Sequence, residues 1–383
     1  MSTLSAQGFG STELTLGDKL RLLHWPLVAV LAVIGLAGYA MLYSAGGGSP
    51  SPWAWKHGVR LVVGLPLMLA IALVDLRVWY RLSYLFYGGV LALLAAVDVL
   101  GEINKGAQRW LDLGLVQIQP SELMKVALVL ALARWFHGAY LDDLRRPTVL
   151  VPAVLLILVP AGLVLVQPDL GTAATLLLSG TAMLFMAGVR LWKFAAVGVL
   201  GAGALPLLWT SLHDYQRQRV FTFLNPESDP LGAGYHIIQS KIALGSGGFW
   251  GKGFLHGTQA QLSFLPEKQT DFAFTMLAEE LGLVGSVTVL GLFLAVLLLG
   301  VAIAARAPSQ YARLLAIGVV MNLFTYVAIN VSMVTGLIPV VGVPLPLISY
   351  GGTAMLTLVC SLGLLLCADV NRNLTLPRFP IDS

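Results

Sequence analysis

About ten stretches of roughly 20 apolar residues each run through this chain, separated by shorter polar segments, and no motif constrains its fold as strongly. They fall near residues 22–43, 58–75, 80–100, 121–139, 147–166, 169–189, 191–210, 272–305, 312–335 and 346–368. A helix of about 20 apolar residues crosses a hydrocarbon layer of about 30 Å, and only helices or closed barrels satisfy their backbone groups there. Of the 383 residues 57% are hydrophobic and 11% charged, well below the roughly 25% charged of a soluble domain. The expected fold is an all-α integral membrane protein of about ten transmembrane helices. It divides into an N-terminal segment 1–21, a membrane domain 22–368 and a tail 369–383.

An even number of spans puts both termini on one side, and the basic residues choose that side. Thirteen of the 23 Lys and Arg residues, from Lys19 and Arg21 to Arg372 and Arg378, fall on the terminal side. The short opposite loops hold Lys56, Arg60, Lys105 and Arg109. Both termini are therefore expected in the cytoplasm, and the long segment 211–271 outside it. The net charge of +4 is topology, not a nucleic-acid footprint. The polar first 20 residues and the length of the first apolar run predict no cleavable signal. Cys360 and Cys367 share a helix face, too far apart along the axis to bridge, and read as apolar packing. No metal-ligand spacing, Walker motif or dinucleotide fingerprint is present, which disfavours an ATP-driven pump.

The excursion 211–271 has a charged aromatic half and a glycine-rich half. Six glycines between Gly245 and Gly257 predict a loop shaped by positive φ angles and close backbone approach to a ligand, and mobile around it. The interleaved Phe249, Trp250, Phe254 and Phe264 predict that this loop packs on something. It ends by delivering Asp271 to the mouth of an apolar helix. Desolvation there is costly to a carboxylate, so Asp271 is the first candidate for chemistry. A second segment, 336–352, carries three prolines within eight residues and then a glycine pair. It cannot be helical throughout, and it is expected to re-enter toward a cavity.

Glu122 and Lys125 lie three apart in an apolar helix, with Ser121 as expected cap and Pro120 before it. A charge near the bilayer centre costs about 2.5–3.5 kcal/mol, so the two either neutralise each other or serve a ligand, with Lys125 facing an anionic group and Glu122 orienting it. Arg109, near Lys105 and beside Trp110, is either an interfacial anchor or a bidentate phosphate ligand. The same two readings apply to Arg217 and Arg219. Asp169, after Pro168, reads first as a helix cap.

The segments GAQRW, QPSELMK, QPDLGTA, QRVFTFLNPESDPLGAGYHIIQSKIALGSGG, GKG, GTQAQLSFLPEKQTDF, AEELG and GVPLPLISYGG occur in this order. Together they resemble the shape, elongation, division and sporulation family of bacterial membrane proteins, most closely its RodA branch, over about residues 20–371. The resemblance implies a peptidoglycan glycosyltransferase of the bacterial cytoplasmic (inner) membrane. It would polymerise lipid II on the outer face, among membrane lipid, with a class B penicillin-binding protein and the elongation machinery. Asp271 matches the family's essential loop aspartate, and Glu122 and Lys125 its intramembrane pair. Gln269 stands where many members have histidine, so a proton relay through that position is not implied.

For such chemistry one carboxylate base and several cations suffice, because pyrophosphate is already a good leaving group. Asp271 is the candidate base. Glu122, Lys125, Arg109, Arg217, Arg219 and Lys268 are the candidate substrate-binding residues. A divalent cation held by Asp271 is an alternative role for that residue. The rival classes are a lipid II flippase and a non-catalytic scaffold for the penicillin-binding protein.

Overall fold

The computed structural model describes residues 15–377, apart from 105, 106, 113, 115, 116, 141, 212–216, 218–220, 229–232, 263 and 266. A short helix α1 (Leu16–Leu22) opens with a capping box between Thr15 and Asp18. The first seven expected spans appear as α2 (Trp25–Ala45), α3 (Trp53–Leu73), α4 (Leu76–Leu100), α5 (Pro120–His137), α6 (Pro147–Val166), α7 (Leu170–Met186) and α8 (Leu191–Ser211). Among the described residues of the long connection are two shorter helices, α9 (Ala233–Ser246) and α10 (Thr258–Gln261), and a helical turn at 221–224. The last three spans are α11 (Ala273–Arg306), α12 (Gln310–Val334) and α13 (Gly352–Val370). Among the described residues, seven helices are long and apolar enough to cross a membrane.

Three helices form the centre. On α5, α12 and α13 apolar residues are buried on every side, while α3, α4, α6 and α8 turn residues such as Val62, Leu85, Val166 and Leu200 outward. A helix apolar all round needs either protein or lipid on each face, and this ring of outward aliphatic side chains suits lipid. Within the ring α3 packs on α13, α4 on α5, and α11 on α12.

The local signals set most helix starts. Asp75, Asp169 and Ser309 cap α4, α7 and α12 with their side chains. At α5 the expected cap is displaced: Gln119 takes that position without a side-chain bond, Pro120 is the first helical residue, and Ser121 lies inside. Proline's fixed φ suits the first helical position, where its missing N–H has no partner to lose. Helix α13 starts six residues later than expected, because Pro344 and Pro346 keep the preceding backbone out of the helix. Between α4 and α5 a small antiparallel sheet, β1 (Glu102–Asn104), β2 (Ala107–Asp112) and β3 (Gln117–Ile118), adds strands that the apolar pattern did not foretell.

The expected single span 272–305 is broken. Gly282 has φ 67° and ψ −161°, so Ala273–Leu281 is one helical segment and the lipid-length run follows as a second. The loop 247–253 closes the gap. Lys252 and Gly253 donate to the carbonyls of Glu279 and Glu280, and Leu283 and Val284 donate back to Gly248 and Phe249. Gly248, Gly251 and Gly253 have the positive φ expected of them, and the glycines allow backbone-to-backbone approach within the chain. A Cβ on Gly247 would sit 2.1 Å from the Ala278 carbonyl oxygen, and one on Gly251 2.1 Å from that of Glu280. The loop packs on α11 as expected, through its backbone, while the rings of Phe249, Trp250, Phe254 and Phe264 stay exposed. Gly282→Ala is expected to lower stability by about 3 kcal/mol or more, read as a lower unfolding midpoint in lipid nanodiscs. Its new Cβ would lie 2.3 Å from the Gly251 nitrogen, in a backbone region open essentially to glycine alone. An unchanged midpoint would contradict the break.

The proline-rich segment 336–351 is non-helical and folds back into the helix packing, as its sequence predicts. It buries Val343, Leu345, Leu347 and Ile348. Its backbone lies so close to α2 that a Cβ on Gly38 would be 2.1 Å from the Leu347 carbonyl oxygen.

Candidate active site

Asp271 stands two residues before α11, partly exposed, and its main chain is fixed from α12. The Asn330 side-chain amide donates to the Asp271 carbonyl at 3.0 Å and to the Val343 carbonyl at 2.7 Å. One buried asparagine thus ties the aspartate's segment to the proline-rich loop. The Tyr350 N–H reinforces this link by donating to the Gln269 carbonyl at 2.7 Å. Gly342 lies beside the carboxylate, its Cβ position 3.5 Å from Asp271 Oδ2.

Beneath this loop α5 contributes its ion pair. Lys125 Nζ donates to Glu122 Oε1 at 2.6 Å, and their side chains are only 2% and 6% exposed. Tyr326 of α12 completes the group: its hydroxyl donates to Glu122 Oε2 and accepts from Lys125, whose ammonium lies 4.2 Å from the ring centroid. The charges neutralise each other at short range, which keeps them in an apolar helix. The mutual pairing is made, and Glu122, Lys125 and Tyr326 also form walls of a cavity.

A second pair comes from the sheet and from α7. Asp169 caps α7, accepting from the Thr172 N–H at 3.1 Å and the Thr172 hydroxyl at 3.0 Å. Strand β2 brings Arg109 to the same carboxylate, Nε to Oδ2 3.6 Å, while the guanidinium also donates to the Gln167 and Pro168 carbonyls. Arg109 is thus held by the protein, and not by a lipid interface alone.

A cavity of about 320 Å³ gathers these groups. Arg109, Glu122, Lys125, Asp169, Asp271 and Tyr326 line it, together with Thr270, Tyr350 and the Gly342–Pro344 turn. Of the residues expected from sequence, Asp271, Glu122, Lys125 and Arg109 come together here. Lys268 and Arg217 are not part of this lining, and Arg219 and Lys105 lie outside the described residues. Partial burial lowers the Lys268 ammonium pKa from its ordinary value. Arg217 donates to the Thr210 carbonyl at 2.7 Å. Sequence reasoning missed Tyr326 and Tyr350, and read Asp169 first as a cap. Asn322, Tyr326 and Asn330 recur every fourth residue along one face of α12, a polar stripe in an apolar helix that was available as a signal.

Among the described residues no three His, Cys, Asp or Glu side chains converge to hold a metal ion. A divalent cation at Asp271 would therefore draw its remaining ligands from outside that set, such as substrate oxygens or water. The cavity offers one carboxylate at its mouth, two cation–carboxylate pairs and tyrosine hydroxyls. That combination can take a proton from a hydroxyl and receive an anionic oxygen-rich group.

A family model named for FtsW, RodA and SpoVE, with the description cell cycle protein, matches residues 19–374. The chain belongs to that family. Its similarity to the FtsW, RodA and SpoVE proteins is not confined to a motif. The chain is 46% identical over 362 residues to the peptidoglycan glycosyltransferase MrdB of Escherichia coli K12, covering 94% of this chain and 96% of that one. It is 37% identical over 309 residues to the stage V sporulation protein E of Bacillus subtilis, covering 79% and 83% of the two chains. The crystal structure of the rod shape determining protein RodA from Thermus thermophilus is similar with a TM-score of 0.69 and 31% identity, over 91% of this chain. A chain from a study of how a peptidoglycan synthase complex coordinates polymerization and crosslinking is similar with a TM-score of 0.78 and 36% identity, over 91% of this chain and 98% of that one. The family's fold therefore extends through all the helices that build the cavity.

Proposed function

We propose that this family member is a peptidoglycan glycosyltransferase that polymerises lipid II at the outer face of the bacterial cytoplasmic membrane, with Asp271 as its base. The observation that carries this reading is the cavity that sets the Asp271 segment across from the Arg109–Asp169 and Lys125–Glu122 pairs. The acceptor sugar hydroxyl attacks the anomeric carbon of the donor and gives its proton to the Asp271 carboxylate. The new glycosidic bond forms as the bond from that carbon to the pyrophosphate breaks, and the electron pair leaves on the phosphate oxygen. A single displacement inverts the α-linkage of the donor to the β-linkage of the polymer. Lys125 and Arg109 offset the charge that develops on the pyrophosphate, and their carboxylate partners hold them in place before substrate arrives. Lys268, Arg217 and Arg219 belong to the long connection and contact the outer portions of the lipid-linked substrates.

The relatives' names support a glycosyltransferase, and the synthase-complex structure supports a partner that cross-links the strands. For this chain that partner is a class B penicillin-binding protein of the elongation machinery, and the exposed rings Phe249 and Trp250 offer it an apolar surface. The test is glycan synthesis from lipid II by the purified chain with its transpeptidase partner, run beside a fluorescent lipid II translocation assay in vesicles. Polymer without net translocation is expected. Translocation without polymer would replace the reading with a transporter, and neither activity would replace it with a scaffold.

A further inference from the structure

The two cations of the cavity lining, Arg109 and Lys125, are each engaged by a carboxylate, Asp169 and Glu122. A site that receives a pyrophosphate needs positive potential where that group sits. A third cation stands just behind the wall. Arg60 of α3 places its guanidinium 4.6 Å from the centroid of the Tyr350 ring and donates from Nη2 to the Tyr350 hydroxyl at 3.3 Å. The same Nη2 is 3.4 Å from where a Cβ would stand on Gly352, another residue of the cavity wall. Among the described residues Arg60 has no carboxylate partner, and its buried Nη1 makes no hydrogen bond.

We infer that Tyr350 is a substrate-binding residue of this reaction and that Arg60 is its positioning residue, the pair donating to a phosphate oxygen of the lipid-linked substrate. The Tyr350 hydroxyl accepts from a cation, which strengthens its own O–H as a donor, because hydrogen bonds in a chain polarise one another. With Arg60 as its partner among the described residues, that proton is available to a ligand. The tyrosine is fixed at both ends, by the stacked guanidinium and by its N–H on the Gln269 carbonyl. That second bond places it two residues in sequence from Asp271. A phosphate oxygen held by Tyr350 therefore lies on the wall adjoining the catalytic loop, while Lys125 and Arg109 remain engaged with their own carboxylates. Gly351 and Gly352, next in the chain, keep the wall beside the hydroxyl free of side-chain bulk.

This inference rests on the glycosyltransferase reading, and one experiment separates the two. Initial rates of polymerisation are measured against lipid II concentration for the native complex, Tyr350→Phe, Arg60→Met and the double variant, each checked for its unfolding midpoint and partner binding. Tyr350→Phe keeps the ring and the backbone bond, so folding is expected to be unchanged. Each single variant is expected to lower kcat/KM at least about ten-fold. The double variant is expected to lose no more than the worse single one, because Arg60 acts through the hydroxyl. A Tyr350→Phe enzyme with native kinetics overturns the inference and leaves the glycosyltransferase reading standing. Losses that multiply in the double variant overturn the relay from Arg60 to Tyr350. If Arg60→Met does not fold, Arg60→Lys takes its place in the cycle, and Tyr350→Phe by itself decides the role of the hydroxyl. A native complex that makes no polymer overturns the parent reading and this inference with it.

Discussion

Asp271→Asn is expected to lower glycan polymerisation at least about 100-fold while leaving the unfolding midpoint and partner binding near native. The amide keeps the shape of the carboxylate and removes its basicity. The main chain of this residue keeps its tether, because Asn330 donates to the Asp271 carbonyl, which the substitution leaves in place. A general base contributes typically 10²–10⁴-fold, so activity within a few-fold of native would remove Asp271 from the chemistry. The same variant separates a base from a metal ligand. If Asp271 holds a divalent cation, raising the concentration of that cation restores part of the lost rate, because occupancy is what the variant lacks. A base shows no such recovery at any concentration.

The second large effect is on stability. Lys125→Met leaves the Glu122 carboxylate buried among apolar helices with Tyr326 as its remaining partner from the present group. Removing one member of a buried ion pair typically costs 3–5 kcal/mol, whereas replacing both members is often close to neutral. Lys125→Met and Glu122→Gln are each expected to lower the unfolding midpoint strongly, and the double variant is expected to lie much nearer the native chain. All three should lose activity, since each dismantles the positive element of the cavity. Thermal unfolding in nanodiscs reads the first point and polymerisation the second. A double variant destabilised by the sum of the singles would show that the two residues do not interact.

The parts of the structure legible in the sequence are those written in short-range pattern. Nine of the ten apolar runs became unbroken helices and the tenth a broken one, because a run of about 20 apolar residues has few alternatives in lipid, and Asp75, Asp169 and Ser309 cap helices where local chemistry puts them. The break at Gly282 was hidden because apolar residues continue on both sides of it. What decides it is the loop 247–253, some thirty residues earlier, whose amides take over the Glu279 and Glu280 carbonyls. The strands between α4 and α5 were missed since GEINKGAQRWLDLG lacks a clean alternation over its length.

The site divides in the same way. Asp271, Glu122, Lys125 and Arg109 could be proposed singly because each is a charge where charges are expensive or exposed to a ligand. Their assembly could not, as Glu122 and Tyr326 are separated by 204 residues and meet only through the packing of α5 on α12. Arg60 showed the same limit more sharply. It entered the sequence argument only as a topological charge, and its role emerged from a tyrosine 290 residues away.

The helical segment Ala273–Leu281 is clamped at both ends, by Asn330 on the Asp271 carbonyl and by the loop 247–253 across the Gly282 break. It therefore behaves as a spacer of fixed length and fixed phase. An α-helix advances about 1.5 Å and turns about 100° per residue. One residue inserted here would swing the start of the segment to another side of the bundle and carry the carboxylate away from the cavity. Length variation in this stretch should accordingly be forbidden even where its apolar side chains can be exchanged, so that the distance from the Asn330 tether to the Gly282 break sets the aim of the aspartate.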